Sequence, residues 1–172
     1  SKMENDKTVE ENLISLIAKI GEKITIRRSK FFDKEGGTNF FYIHSAVEKN
    51  IGKIVSVVKI LNTNNEDLGQ KIAMHIAATS PLGIDKKDLK KEIIDKELEI
   101  IKAELANSGK KGDIAEKIST GKINKFISDN TLLNQIWIMD PKKKVSDILK
   151  ENKIKEDIKI IDFIRFKVGE GI

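Results

Sequence analysis

Two histidines, His44 and His75, and the run Gly109-Lys110-Lys111-Gly112 are the residues of this 172-residue chain whose types could do chemistry. An imidazole works as a general base or a metal ligand when a second ligating or nucleophilic side chain stands near it. His44 and His75 fall on different predicted elements, and neither has a His or Cys close in sequence, so no ligand set takes shape. His75 follows Met74 on an amphipathic helix and reads as a half-buried packing residue. His44 ends a predicted strand beside a loop, where packing and contact with a partner are equally good readings. A phosphate-cradling loop needs its glycines between a strand and a helix, so that backbone amides face the anion. The glycine-lysine run lies instead between two predicted helices and lacks the Walker spacing, and reads as a hairpin tip. Carboxylates are abundant, but at helical spacing among lysines they form solvated ion-pair faces. These residues predict no catalytic group, no metal site and no cofactor, and the chain does not read as an enzyme.

Composition narrows the field further. Charged residues make up 34% and hydrophobic residues 39%, which suits a folded domain with a modest core and an ionic surface. There is no cysteine, which excludes disulfides and thiolate metal sites and makes a reducing cytoplasm the expected location. No apolar run approaches the roughly 18 residues of a membrane span, and no signal peptide precedes the first helix, so neither a membrane partner nor export is expected. The formal charge of +5 comes from lysine, with Arg27, Arg28 and Arg165 the arginines. Lys-rich, Arg-poor surfaces solubilise more than they read bases or phosphates, so no DNA partner is expected.

The elements that would carry these residues follow from spacing. Val9, Leu13, Leu16, Ile17 and Ile20 form one stripe of a helix over 9–20, with Thr8 as N-cap and Gly21 as its end. Ile24, Ile26 and Arg28 alternate with Thr25, Arg27 and Ser29, which predicts a strand running towards Phe31 and Phe32, followed by a turn over 33–37. Residues 38–45 predict a strand with Phe40, Tyr42 and His44 on one face, and residues 54–61 an apolar strand covered on both faces, the two pairing as an antiparallel hairpin with a loop closing at Gly52. Asn64 or Asn65 caps a helix carrying Leu68, Ile72, Ile76 and Ala77.

Residues 85–130 predict a helical hairpin. Ile94, Leu98, Ile101 and Leu105 step by four, three and four, the spacing of a coiled-coil seam. Ser108-Gly109 ends the first arm, Asp113 and Glu116 restart the second as a capping-box-like pair, and Ile114, Ile118, Ile123 and Phe126 return along it. An arm of about 22 residues reaches roughly 33 Å. Beyond it, Ile136 to Pro141 predicts a short extended segment whose Trp137 and Met139 serve as core or as an exposed anchor. A small helix with Val145, Ile148 and Leu149 follows. A strand over 158–168 completes the earlier sheet, which makes the hairpin an insertion within an α+β fold of small antiparallel sheets packed with helices.

Five strings of the chain, in order, resemble the elongation factor Ts family. Ile17-Ala18-Lys19-Ile20-Gly21-Glu22 followed by Ile24, Ile26, Arg27 and Arg28 resembles its "AKIGEN-I-VRR" signature. The others are "IAMHIAA" over 72–78, the hairpin tip "SGK..DIAEKI..GKINKF", "IMDP...V..IL" and the terminal "FIRFKVGEGI". The resemblance implies a guanine-nucleotide exchange factor that does no chemistry but binds the GTPase elongation factor Tu, with RNA reached only indirectly through that partner. It implies two related α+β subdomains, the first ending near residue 35 and the second comprising residues 36–84 and 134–172, around an inserted hairpin over 85–133. It also implies five partner-binding positions: Ile20 and Gly21 at a helix end, His44 in a "Y-x-H" strand, and the apolar pair Ile138 and Met139. A homodimer is compatible with this reading.

One departure stands out. The family's N-terminal helical module and its "TDFV" loop have no counterpart here, since Leu61 is followed by Asn62-Thr63-Asn64-Asn65. The sequence therefore reads as a fragment or a degenerate relative, the fragment being the favoured reading, with exchange much weaker than that of an intact member. The alternatives are a basic RNA-associated protein using the hairpin lysines and a coiled-coil scaffold with no GTPase partner.

Overall fold

The computed structural model describes residues 3, 5–109 and 111–171, so Lys110 of the glycine-lysine run, together with Ser1, Lys2, Glu4 and Ile172, lies outside the described residues. The chain divides into two compact units, residues 1–31 and 32–172.

In the first unit, helix α1 (Val9–Ile20) starts as its sequence predicts. The Thr8 hydroxyl accepts from the Glu11 amide at 3.2 Å, and the Glu11 carboxylate accepts from the Thr8 amide at 2.7 Å, a reciprocal box that satisfies two otherwise orphaned donors. This hydrogen bonding also holds the Glu11 carboxyl below its ordinary range. Gly21 ends the helix in the left-handed region at φ 73°, its amide donating to the Ile17 carbonyl. No strand follows. Residues 22–33 carry no regular structure, in contrast to the alternation over 24–29. Alternation specifies which face of a strand is apolar, but a strand also needs a ladder partner, and among the described residues no strand is laddered to this segment.

The second unit is an α+β layer. Strands β1 (Thr38–Glu48), β2 (Ile51–Leu61) and β3 (Lys159–Lys167) form one antiparallel sheet in the order β1-β2-β3. The β1–β2 hairpin is longer than its apolar pattern indicates and turns at Lys49-Asn50, with Asn50 at φ 64°. His44 therefore lies within β1, opposite Ile54, and not at a strand end. Helix α2 (Glu66–Thr79), capped by the Asn65 side chain on the Leu68 amide at 3.1 Å, covers one sheet face. Ser56, Val58 and Ile60 of β2 are fully buried, but Val55 and Val57 on the opposite face are half-exposed, so β2 is not enclosed on both faces as its apolar run predicts.

The core gathers Phe40, Val58, Ile60, Leu68, Ile72 and Ile76 with Leu132, Trp137, Val145, Leu149 and Ile158. Each such side chain stabilises by about 1.5–3 kcal/mol. Two contacts seat α2. Gly69 lies flat under the Phe40 ring, where a Cβ would come within 2.1 Å of the ring carbon Cγ, and the buried Ser56 hydroxyl donates to the Ala73 carbonyl at 2.6 Å. Beside the sheet, Asp33 pairs with the buried Lys59 ammonium, whose hydrogen bond holds the Asp33 carboxyl below its ordinary range.

The hairpin arms are α3 (Lys91–Asn107) and α4 (Gly112–Asn130), reached through a short 3-10 turn at Lys86–Asp88. At about 1.5 Å per residue the 17-residue and 19-residue arms span roughly 26 and 28 Å, shorter than the expected 33 Å. Ile101 and Leu105 are the buried positions of the first seam, with Ile94 and Leu98 half-buried. On the return arm Ile127 is the buried residue, whereas Ile114 is 66% exposed. Asp113 does not cap α4, because the helix already begins at Gly112 with no side-chain cap. The α5 helix (Val145–Glu151) leads to β3, so the sheet takes strands from both sides of the hairpin in sequence. Among the described residues no helix is long and apolar enough to cross a membrane.

Two stability measurements check this packing. Gly69→Ala forces a methyl into the Phe40 ring and should lower the urea-denaturation free energy by about 1–3 kcal/mol, through overpacking. The second concerns His75, which is fully buried where the sequence predicts half-burial. Burial pushes its imidazole below the ordinary 6.5, and a hydrogen bond to Gln135 opposes this in part. The unfolded chain takes up this proton before the folded one does, so the contribution to stability is complete above about pH 6.5 and is lost as pH falls below it. Denaturation midpoints at about pH 7.5 and 5.5 should drop more for the native sequence than for His75→Asn, which has no imidazole to titrate at that site.

Candidate partner-binding surface

Five segments of the chain meet at one notch. On β1, Tyr42 and His44 are two residues apart and so share a face. Antiparallel pairing sets Ile54 of β2 opposite His44, and Ser56 between Tyr42 and Arg165 of β3. The last turns of α2 bring Met74, Ala77 and Ala78, and the segment after α4 brings Ile138. Together these residues line a notch of about 360 Å³.

Its polar rim is held in place. Arg165 donates from Nε to the Ala77 carbonyl at 2.9 Å and from Nη1 to Glu170 Oε1 at 2.7 Å, which ties β3 to the end of α2. The Tyr42 hydroxyl stands 3.3 Å from His44 Nδ1. Apolar walls with an imidazole, a phenol and a guanidinium at the edge suit the reception of another protein's side chain more than bond making. Among the described residues no three His, Cys, Asp or Glu side chains gather closely enough to hold a metal ion.

Ile138 and Met139 stand on the turn that follows the hairpin. The segment from Ile136 to Pro141 is a turn, not the extended strip its sequence predicts, closed by Trp137 N–H donating to the Lys143 carbonyl at 2.8 Å. The turn resolves the ambiguity of its apolar residues. Trp137 points into the core at 4% exposure, and Ile138 and Met139 are each 41% exposed. Ile20 and Gly21 belong to the first unit, where Ile20 is 46% exposed at the end of α1 and Gly21 has open space around its Cα. Of the five positions expected from the resemblance, the notch thus includes His44 and Ile138, with Met139 next in sequence. Tyr42, Met74 and Arg165 were not expected there. The shared face of Tyr42 and His44 was visible in the alternation, but the arrival of Met74 and Arg165 depends on how α2 and β3 dock.

The hairpin is less basic than its lysines suggest. Its first arm carries three Lys against five acidic residues, and its second three against three. A cross-arm pair joins Lys122 to Glu104, both partly exposed. Neither arm therefore carries an excess of positive charge.

Comparison with known proteins identifies the family. The family model described as Elongation factor TS matches residues 1–170. Elongation factor Ts of Teredinibacter turnerae is 38% identical over 168 residues, covering 98% of this chain and 54% of the relative. That of Psychrobacter arcticus is 40% identical over 168 residues, with 98% and 53% covered, and that of Rickettsia prowazekii 38% over 180 residues, with 100% and 58% covered. The chain spans about half the length of these curated relatives. With residues 1–170 inside the match, the chain belongs to the elongation factor Ts family.

Proposed function

We propose that this chain binds the GTPase elongation factor Tu and promotes release of its GDP. Family membership supports the activity, and one geometric observation carries the site: His44 and Ile138, nearly a hundred residues apart, line the same notch. No covalent step is involved. A protein that binds the nucleotide-free state of a GTPase more tightly than the GDP-bound state must, by reciprocity, weaken GDP binding by the same factor. Such a protein needs well-placed contacts on rigid elements and no reacting groups. Ile20 and Gly21 at the end of α1, His44 in β1, and Ile138 and Met139 on the turn are the contact residues in this reading. The domain organisation that accompanies it is a first subdomain ending near residue 35, a second of residues 36–84 and 134–172, and the hairpin over 85–133 inserted between its halves. The cytoplasm is where such a partner is met, and light scattering of the free chain tests for a homodimer.

The direct test is retention of the chain by immobilised, nucleotide-free elongation factor Tu, followed by release of fluorescent GDP from the GTPase with and without the chain. Retention and faster release are expected; no retention sinks the proposal, and salt-sensitive binding to RNA in its place would favour an RNA-associated role. Met139→Ala should weaken association by about tenfold, as for a contributing apolar contact of about 1.4 kcal/mol. Gly21→Asp adds a side chain in a left-handed position and a charge where contact is made; a similar loss of affinity is expected, with about 1–2 kcal/mol of strain in the fold. Unchanged affinity in both variants, measured by calorimetry, would remove these positions from the contact surface.

A further inference from the structure

A buried imidazole needs a partner for each ring nitrogen, and the partners of His75 dictate where its proton sits. Gln135 places one end of its side-chain amide 2.8 Å from the Asp129 carbonyl. A carbonyl accepts only, so that end is the NH₂ group and the other is the oxygen Oε1. Oε1 lies 3.0 Å from His75 Nε2. Two acceptors would repel there, so Nε2 carries the proton and donates. Nδ1 is left with a bare lone pair, and the backbone N–H of Ile138 donates to it at 3.4 Å. Below this bond the imidazole stacks on Trp137, with centroids 5.1 Å apart and planes 20° from parallel.

The bonds run in one line from the end of α4, through Gln135 and the α2 imidazole, to the amide of Ile138. The turn closes on itself through Trp137, Asp140 and Lys143. Those bonds shape the turn, and the Ile138 to His75 bond ties it to α2. His75 has no exposed surface and cannot touch a partner directly. We propose that His75 is a positioning residue of the partner-binding surface, holding Ile138 and Met139 at their working height through Nδ1. The proposal rests on the elongation factor Tu reading above for its functional half, and on hydrogen bonding for its structural half.

Two variants divide the ring's roles. In His75→Asn the side-chain oxygen falls near the place of Nδ1 and can accept from Ile138. In His75→Gln the amide falls near Nε2, keeping the bond to Gln135 but leaving the Ile138 amide without its acceptor. A residue that merely packs would be damaged alike by both. A positioning residue would not: His75→Asn should keep affinity for nucleotide-free elongation factor Tu within about threefold, whereas His75→Gln should lose about tenfold, as when a buried donor is left unpaired. Amide exchange at Ile138, followed by NMR in the free chain, should accelerate about tenfold in His75→Gln and stay near native in His75→Asn. Equal affinities with equal Ile138 exchange would overturn the proposal. If the native chain itself does not bind the GTPase, the functional reading falls, while the exchange data still decide whether His75 holds the turn. If either variant does not fold, ¹⁵N shifts of the native imidazole decide: a proton on Nε2 with bare Nδ1 supports the proposal, and a proton on Nδ1 overturns it.

Discussion

The seating of α2 on the sheet is the contact on which the second unit depends. Gly69 leaves room for the Phe40 ring, and the Ser56 hydroxyl finds the Ala73 carbonyl one turn further along. One meeting is steric and the other polar, and together they fix the helix both along and across the strands. A slip of one turn, about 5.4 Å, would set a side chain under Phe40 and strand the buried hydroxyl without an acceptor. With α2 fixed, Met74, Ala77 and Ala78 arrive at the notch, His75 arrives beneath the turn, and the Ala77 carbonyl stands where Arg165 can donate to it.

This dependence suits a protein that acts by grip. On the proposed reading nothing is made or broken, so the work is done by the difference in affinity for two states of a partner, and a contact misplaced by a fraction of an ångström loses part of that difference. The residues nominated for contact are accordingly carried by a strand within a sheet, the capped end of a helix, and a turn tied down at both its base and its tip. Ser56 beside the strand and His75 beneath the turn are buried and hydrogen-bonded, while His44, Ile138 and Met139 remain exposed.

The hairpin is built on a different principle. Its register comes from an apolar seam at Ile101, Leu105 and Ile127, since an exposed ion pair such as Glu104–Lys122 contributes little. Its root is stitched to the rest of the unit by backbone bonds, Leu82 N–H to the Asn130 carbonyl and Leu132 N–H to the Gly83 carbonyl, each 2.9 Å. The two ends of the insertion therefore leave and re-enter side by side, and the sheet closes across them through β2 and β3.

Local chemistry determined much of this in advance. The Thr8 cap, the Gly21 stop, the Asn65 cap, the heptad-like seam of α3 and the alternation of Phe40, Tyr42 and His44 all depend on residues within a turn or two of each other, and each was legible for that reason. The matching strings extended that legibility to the family. What the chain order could not decide were choices between distant partners. Alternation over residues 24–29 did not make a strand without a neighbouring strand, and the apolar turn sent Trp137 inward and Met139 outward according to what lay beneath it. The return seam settled on Ile127 in place of Ile114 because burial depends on where the facing arm passes. The notch belongs to the same class: residues 42, 74, 138 and 165 share no local pattern, and docking of α2 and β3 around β2 is what brings them within reach of one another.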